Sequence, residues 1–300
     1  MDLYELLTNR RSVRHFEDRP VEDELLNELL DAAANAPSGG NIQPVSIIVV
    51  REPERRRRLS EIVGDQPWVR NAPVSLVFCV DFERVRRWAG LSGVSFRGSE
   101  SAASFLIAYA DLMCAAQTVA ILAEDRGLGS VYVGTILTQM GHAADLLDLP
   151  GGVLPLMVLT LGYPASRPTG IPKLPGSVLA HDERYSAPTD AELGRAFEAK
   201  YGTIDENVDR YLERAYVEVV EADKQHDDDW TADAKARMDR LNIRSNAQFL
   251  FELRYPQDVM VALNDSLLSD FAGAGFVFPG FTRDVGEEDA RRGAGDAAPG

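Results

Sequence analysis

Cysteine and histidine, the residues that most metal and thiol sites require, are scarce in this sequence. Only two of its 300 residues are cysteines, and four are histidines. Cys79 and Cys114 each stand inside an apolar run, LVFCVD and DLMCAAQ. We therefore expect both to be small buried residues rather than metal ligands or a disulfide framework. The histidines lie far apart, without the spacing of a zinc site, so no metal is predicted.

Positive charge is also scarce. The 31 Lys and Arg residues face 47 Asp and Glu residues, which gives a formal charge of -16. Attraction to a phosphate backbone needs a basic face, so nucleic acid is not expected as a partner. The first residues, MDLYELLTNRR, lack the basic-then-apolar order of a signal peptide. Together with the few cysteines, this predicts a cytoplasmic protein.

Long apolar runs are nearly absent as well. The longest, residues 105–123, contains Asp111 and Gln117 and many small residues. This composition favours a buried helix over a transmembrane span, so no membrane partner is predicted.

Several familiar motifs are missing. The sequence has no G-x-S-x-G nucleophile elbow and no G-x-x-x-x-G-K phosphate loop. The glycines of GLGSVYVG are spaced G-x-G-x-x-x-x-G and follow a helical pattern instead of a strand, which argues against a Rossmann dinucleotide site. The residues thus indicate neither a nucleophile nor a metal.

Helical and strand patterns mix irregularly along the chain. β-branched runs predict strands at 45–50, at 73–80 and in GVLPLMVLTLGYP, while apolar spacing predicts helices at 2–8 and 21–36. This order favours an α+β fold over a doubly wound sheet. The segment EPERRRRLSEIVG predicts a helix whose four arginines face water. Residues 82–103 show no period, which predicts a mobile loop of the kind that covers sites.

The last third of the chain differs in composition. Residues 201–300 hold 21 acidic and 11 basic residues, and three segments there have helical spacing of apolar groups. From about residue 282 apolar side chains almost vanish, which predicts a disordered acidic tail. We expect the helices either to wrap a dimer or to form a lid over a substrate. The rings available to such a lid are Trp230, Phe249, Phe251, Tyr255 and Phe271.

Two polar segments are suited to binding. NRRSVRHF offers guanidinium groups that hold a phosphate through paired charge-assisted hydrogen bonds, although basic residues also occur on exposed helix ends. APSGGNIQP offers glycines that permit close backbone approach, together with amides that donate and accept, which suits a flat heterocycle. Alone, the second segment is equally compatible with an ordinary loop.

In this order the segments resemble the nitroreductase and flavin reductase family. RRSVRHF and APSGGNIQP are followed by GLGSVYVG, then by LPLMVLTLGYP with PKLP and HDERY, a four-part match over roughly residues 2–190. The details RHF, VYVG and LPGSVLAHDERY are most similar to the subgroup of major oxygen-insensitive nitroreductases and FMN reductases.

The resemblance implies an α+β nitroreductase-like fold, with a central, mostly antiparallel sheet flanked by helices. It also implies an obligate homodimer that holds FMN at the subunit interface, with helix 104–124 buried by the partner. The implied organisation is an FMN-binding domain at 1–190, a helical C-terminal extension at 191–281 that serves as dimer wrap or lid, and the tail at 282–300.

The resemblance also assigns site residues. One group matches the phosphate-binding segment, with a lysine that closes on the same phosphate. A second group matches the loop along the ring and ribityl chain, and a glutamine lies near the flavin. A third group meets the ring near N5 through its backbone. The phosphate-binding group consists of Arg10, Arg11, Ser12 and Arg14, with Lys173 as the closing lysine. The loop along the ring and ribityl chain consists of Pro37, Ser38, Gly39 and Asn41, and the glutamine is Gln66. The backbone group near N5 consists of Tyr132, Val133 and Gly134.

The implied function is FMN-dependent NAD(P)H oxidoreduction, in which two electrons pass through flavin N5 to an electron-poor nitroaromatic, quinone or flavin. Catalysis in this family belongs to the cofactor more than to side chains, so no catalytic side chain is assigned. The acidic segment after HDERY would repel a 2′-phosphate, so a preference for NADPH is not implied, and NADH or a different reductant altogether is as plausible. Two alternatives are a same-fold enzyme with a specific substrate (a dehalogenase, dehydrogenase or flavin-consuming enzyme) and a non-catalytic flavin-binding protein.

Overall fold

A four-stranded antiparallel sheet lies at the centre of the computed structural model, which describes residues 2–168, 172–204, 208, 236 and 238–279. The strands follow the order β1-β2-β4-β3, and each neighbouring pair runs antiparallel. They are β1 (Val45–Val50), β2 (Val74–Asp81), β3 (Gly129–Val133) and β4 (Val153–Gly162). The predicted α+β class and antiparallel sheet are confirmed.

Helices cover both faces of this sheet, because successive side chains of β2 point to opposite sides. Leu76 and Phe78 pack into a core with α2 and α6, whereas Val77 and Cys79 pack into a second core with α3, α4 and α7. The helices are α1 (Leu3–Asn9), α2 (Asp23–Ala34), α3 (Pro53–Ile62), α4 (Pro67–Asn71), α5 (Phe82–Leu91), α6 (Ala102–Asp125), α7 (Met140–Leu146), α8 (Gly176–Leu179), α9 (Asp190–Tyr201), α10 (Asn246–Gln248) and α11 (Gln257–Gly273). A π-helical turn, Phe249–Arg254, follows α10.

Ser101 caps the start of the long apolar helix α6, since its hydroxyl accepts the backbone N–H of Ser104. α6 is long and apolar enough to cross a membrane, yet 44% of its most apolar stretch is already buried within this chain. One side packs on the sheet and the other stays uncovered, with Leu106 62% and Ile107 55% exposed. Cys114 lies on the uncovered side, so the expectation that it is buried was wrong, while Cys79 is buried.

The predicted loop at residues 82–103 is wrong for its first half, because α5 occupies Phe82–Leu91, while residues 92–101 contain only a short 3-10 turn, Gly98–Glu100. The carboxylate of Asp81 accepts the backbone N–H of Arg84 and so caps the helix. Phe82 and Phe96, from the two halves of the segment, pack edge to face with ring centroids 5.4 Å apart. Aromatic packing therefore fastens this segment to the core.

One arginine of EPERRRRLSEIVG does not face water. The guanidinium of Arg56 donates to the backbone carbonyls of Arg70, at 2.9 Å, and Ala72. It thereby ties α3 to the end of α4, and burial lowers the pKa of Arg56. The expectation of solvated arginines holds for Arg55, Arg57 and Arg58, which are exposed.

The C-terminal rings that are available to a lid differ in their surroundings. Phe249 is fully buried in a small local cluster, and Phe271 packs on Phe105 with centroids 5.0 Å apart. Phe251 and Tyr255 are exposed. Trp230, most of the acidic segment after HDERY and the predicted tail from residue 282 lie outside the described residues.

Candidate functional site

Backbone hydrogen bonds hold the arginine-rich segment between β3 and the end of β4. The N–H of Val13 donates to the carbonyl of Ser130 at 3.0 Å, and that of Glu17 donates to the carbonyl of Tyr163 at 2.8 Å. Ser12, one of the predicted site residues, pairs with Ser130 as a parallel bridge. The segment therefore has a fixed position beside the sheet.

Close packing at Gly129 adds to this constraint. Val13 is fully buried, and a Cβ built on Gly129 would lie 2.5 Å from its Cγ2. No side chain therefore fits at the first residue of β3 while the segment stays in place.

The two neighbouring arginines of the segment have different surroundings. Nη1 of Arg11 donates to the carbonyls of Thr8 at 2.7 Å and Arg10 at 2.9 Å, so it caps the end of α1. Nη1 of Arg10 is buried, and it has no hydrogen-bond partner in the described part of the chain. A buried cationic donor is costly without an acceptor, so this atom is suited to an anionic ligand.

Arg14 lies against an aromatic ring. Its guanidinium carbon is 5.2 Å from the ring centroid of Trp68, a buried residue of α4. Such a cation–π contact restricts where the charge points and so orients it.

The predicted ring-binding loop is tightly folded. It begins at Pro37, shortly after the end of α2, and three of its residues have positive φ: Gly40 at 58°, Asn41 at 54° and Gln43 at 53°. Ser38 and Gly39 donate to the carboxylate of Asp111 on α6, at 2.8 and 2.9 Å. The loop is thereby connected to the long helix.

A second group of predicted residues meets at the end of β3. Nε2 of Gln66 donates to Oγ1 of Thr135 at 2.7 Å and to the carbonyl of Val63 at 2.9 Å. Thr135 directly follows Val133 and Gly134, so the structure brings Gln66 beside the segment predicted to meet the flavin.

Tyr132 joins this group to the arginine segment. Its hydroxyl donates to Oε1 of Gln117 on α6 at 3.0 Å. Burial raises the pKa of Tyr132 to about 12, while the positive charge of Arg10 acts in the opposite direction. The electrostatic coupling indicates that Arg10 and Tyr132 belong to one region.

Lys173, the predicted site residue that would close on the phosphate, is exposed. Its predicted closure on a phosphate remains a prediction.

The structure adds site residues that sequence reasoning missed, among them Asp111, Thr135 and Trp68. Asp111 could have been singled out from the sequence, because it is a carboxylate inside an apolar run. Thr135 and Trp68 could not, because their partners lie far away in sequence.

Replacing Thr135 with valine is expected to lower the free energy of unfolding by about 1 kcal/mol. The change removes the hydroxyl that accepts from Gln66 and donates to the carbonyl of Val63 at 2.8 Å. Urea denaturation measures the effect. Thr138→Val is the control, because that hydroxyl donates only to the backbone carbonyl of Thr135 among the described residues. Equal losses in the two variants would contradict a special role for Thr135.

Glu22 stabilises the position of the chain just after the arginine segment. The pKa of its carboxyl group is lowered to about 2 from an ordinary value of 4.5. The causes are hydrogen bonds from the Tyr163 hydroxyl at 2.6 Å and from Arg19 at 2.8 Å. Because the folded pKa is depressed, the stabilisation is present above the ordinary pKa and is lost as pH falls towards 2.

Glu22→Gln is therefore expected to flatten the decline of unfolding free energy between about pH 4.5 and 2. Urea denaturation at a series of pH values measures the slope. Glu24→Gln, at an exposed position on the same helix, serves as the matched control. A Glu22→Gln protein with the wild-type slope would count against this assignment.

The chain matches a known protein family. The profile described as the nitroreductase family matches residues 7–163. Among curated proteins, the chain is 37% identical over 180 residues to an FMN reductase [NAD(P)H] of Bacillus subtilis, covering 60% of this chain and 72% of that protein. It is 35% identical over 189 residues to an oxygen-insensitive NADPH nitroreductase of Salmonella typhimurium, covering 63% and 76%.

Solved structures show the same similarity. NfrA2 of Bacillus megaterium aligns with a TM-score of 0.69 at 26% identity, covering 93% of this chain and 99% of that one. The NADPH:FMN oxidoreductase of Vibrio harveyi, solved in complex with NAD+, aligns with a TM-score of 0.62 at 29% identity, covering 70% and 91%.

Proposed function

This chain belongs to the nitroreductase family, and from that premise we propose that it is an FMN-dependent NAD(P)H oxidoreductase. The observation that carries the proposal is the buried Nη1 of Arg10, which has no acceptor among the described residues. It lies in a segment held rigidly beside β3. A flavin phosphate supplies the acceptor that this nitrogen needs.

The residues present fit FMN. Arg10 and Arg14 would hold the phosphate, and the loop of Pro37, Ser38, Gly39 and Asn41 would lie along the ring. When bound, FMN supplies two-electron chemistry, accepting hydride from NADH or NADPH and giving two electrons to an electron-poor acceptor.

The chain's own contribution is position and electrostatics. Trp68 orients the charge of Arg14 through its ring. The hydrogen bond between Gln66 and Thr135 fixes the turn that follows Val133 and Gly134, whose backbone would lie beside the ring. These contacts hold groups in place before any ligand arrives, which lowers the entropic cost of binding.

We also propose that the protein is a cytoplasmic homodimer with FMN at the interface. The uncovered side of α6, with Leu106, Ile107 and Cys114, supports a subunit contact because exposed apolar patches commonly mark interfaces. Residues 1–190 would form the flavin-binding domain and 191–281 an extension that wraps the dimer. The acceptor is a small molecule such as a nitroaromatic, a quinone or free flavin.

Anaerobic stopped-flow spectroscopy tests the proposed activity. We expect the purified protein to be yellow, its flavin band to bleach with NADH or NADPH, and the band to return on mixing with a quinone or nitroaromatic. Comparing the two nucleotides at equal concentration also identifies the reductant.

Two results would overturn the proposal. Protein that cannot be loaded with FMN would exclude the cofactor. Flavin that bleaches with dithionite but with neither nucleotide would exclude NAD(P)H oxidoreduction, and would direct attention to an enzyme with its own substrate or to a carrier protein.

A further inference from the structure

Asp111 is a buried acid inside the apolar helix α6, with 8% of its surface exposed. The helix residues Ala108, Leu112 and Ala115 around it are also buried. A carboxylate in such a setting is costly unless hydrogen-bond donors surround it. The donors that the structure supplies come from the predicted ring-binding loop, more than seventy positions earlier in the sequence.

Both carboxylate oxygens of Asp111 are used. Oδ2 accepts the hydroxyl of Ser38 at 2.8 Å, and Oδ1 accepts the backbone N–H of Gly39 at 2.9 Å. The loop lies directly on the helix at this point, since a Cβ on Gly39 would be 2.7 Å from Cγ2 of Ile107. The carboxylate and the close contact together fix how far the loop stands from α6.

Ser38 carries the constraint further along the loop. Its Oγ accepts the backbone N–H of Gln43 at 2.9 Å while its own proton goes to Asp111. A serine hydroxyl has one proton to donate, so Ser38 has none left for a ligand. The chain Gln43 to Ser38 to Asp111 thus closes the loop on itself.

The backbone of the loop needs such support. Asn41 and Gln43 have φ of 54° and 53°, in the left-handed region that costs non-glycine residues free energy. These conformations persist where surrounding contacts enforce them. The hydrogen bonds to Asp111 and Ser38 provide that enforcement on both sides of the turn.

We propose that Asp111 is a positioning residue for flavin binding, which sets the loop of residues 38–43 in its binding shape before FMN arrives. Ser38 acts through this network, and not as a direct donor to the flavin. The inference rests on the proposed function for its ligand, but the loop order that it describes exists without the ligand.

Three variants test the proposal. Asp111→Leu removes both acceptors, and Asp111→Asn keeps one oxygen for the N–H of Gly39. Thr118→Val is the control on the same helix, because its hydroxyl bonds only to the carbonyl of Cys114 among the described contacts. Hydrogen exchange of the apoprotein reports loop order, and titration of apoprotein with FMN reports the dissociation constant.

We expect exchange at the amides of Gly39 and Gln43 to quicken roughly tenfold or more in Asp111→Leu, with the amides of β2 and β4 unchanged. The dissociation constant for FMN should rise roughly 10- to 100-fold, which corresponds to the loss of a charged hydrogen bond. Asp111→Asn should recover part of both effects, and Thr118→Val should match wild type.

Wild-type exchange at Gly39 in folded Asp111→Leu, or a wild-type FMN dissociation constant, would overturn the proposal. Acceleration spread evenly over the sheet would do so too, because it would show general destabilisation. Should Asp111→Leu fail to fold, the same two readouts on Asp111→Asn decide. Wild-type protein that binds no FMN refutes the proposed function instead, while the exchange measurement still tests the loop.

Discussion

Replacing Arg10 with alanine is expected to raise the dissociation constant for FMN roughly 10- to 100-fold, the effect of losing about 1.5 to 3 kcal/mol from a charged hydrogen bond. Nη1 of Arg10 is buried and has no hydrogen-bond partner among the described residues, so the substitution removes no hydrogen bond of this atom from the free protein. The loss should therefore appear in binding. Quenching of FMN fluorescence on titration with apoprotein measures it.

The control for this prediction is Arg58→Ala, which removes the same charge from an exposed position on α3. Arg14→Ala should weaken binding over a similar range, because its guanidinium is oriented by Trp68. A dissociation constant for Arg10→Ala equal to that of Arg58→Ala would count against the phosphate assignment.

Replacing Gly129 with alanine is expected to lower the free energy of unfolding by about 1 to 3 kcal/mol, the usual cost of overpacking a core. The added Cβ would lie 2.5, 2.7 and 2.9 Å from three side-chain atoms of Val13. Relief requires the arginine segment to move away from β3, so FMN affinity should fall as well. Chemical denaturation and FMN titration measure the two effects.

A double-mutant cycle with Val13→Ala separates crowding from other causes. Val13→Ala removes Cγ1 and Cγ2, two of the three crowded atoms. The double variant should therefore lose less stability than the sum of the two single variants. Additive losses would show that the contact between Gly129 and Val13 is not the reason.

The central strands of the sheet could be predicted because their sequences are strongly apolar. β2 and β4 are buried along their whole length, so their sequences are almost continuous apolar runs, with Ser75 and Asp81 in β2 and Thr160 in β4 as buried polar residues. The helix α5 was missed although Phe82 and Val85 have helical spacing and are buried. Trp88 and Leu91 continue that spacing, so the apolar stripe of the helix was present in the sequence, although both residues are exposed in the fold.

Side-chain exposure was harder to predict than secondary structure. Cys114 and Leu112 stand in the same apolar run, yet one is exposed and the other is fully buried. Apolarity alone does not distinguish a face that meets the chain's own core from a face that is left for a partner. Charged residues can likewise differ from the exposure that the sequence predicts. Arg56 is one of four successive arginines, and its guanidinium donates to a backbone carbonyl of another helix.

The candidate site also has residues that the sequence predicts and contacts that only the fold reveals. The arginine segment and the glycine loop were found because each is a compact group of polar residues that resembles a family motif. The connections of Asp111 to Ser38 and of Thr135 to Gln66 span 73 and 69 positions. Nothing local in the sequence pairs such residues, so the supporting contacts of the site needed the fold.

In the proposed homodimer, the uncovered Ile107 would make flavin binding depend on protein concentration. A Cβ on Gly39 of the proposed flavin-binding loop would lie 2.7 Å from Cγ2 of Ile107, while 55% of Ile107 remains exposed. In the proposed homodimer, subunit association and cofactor retention are then linked by mass action. Dilution by itself should release flavin, and excess flavin should hold dilute subunits together.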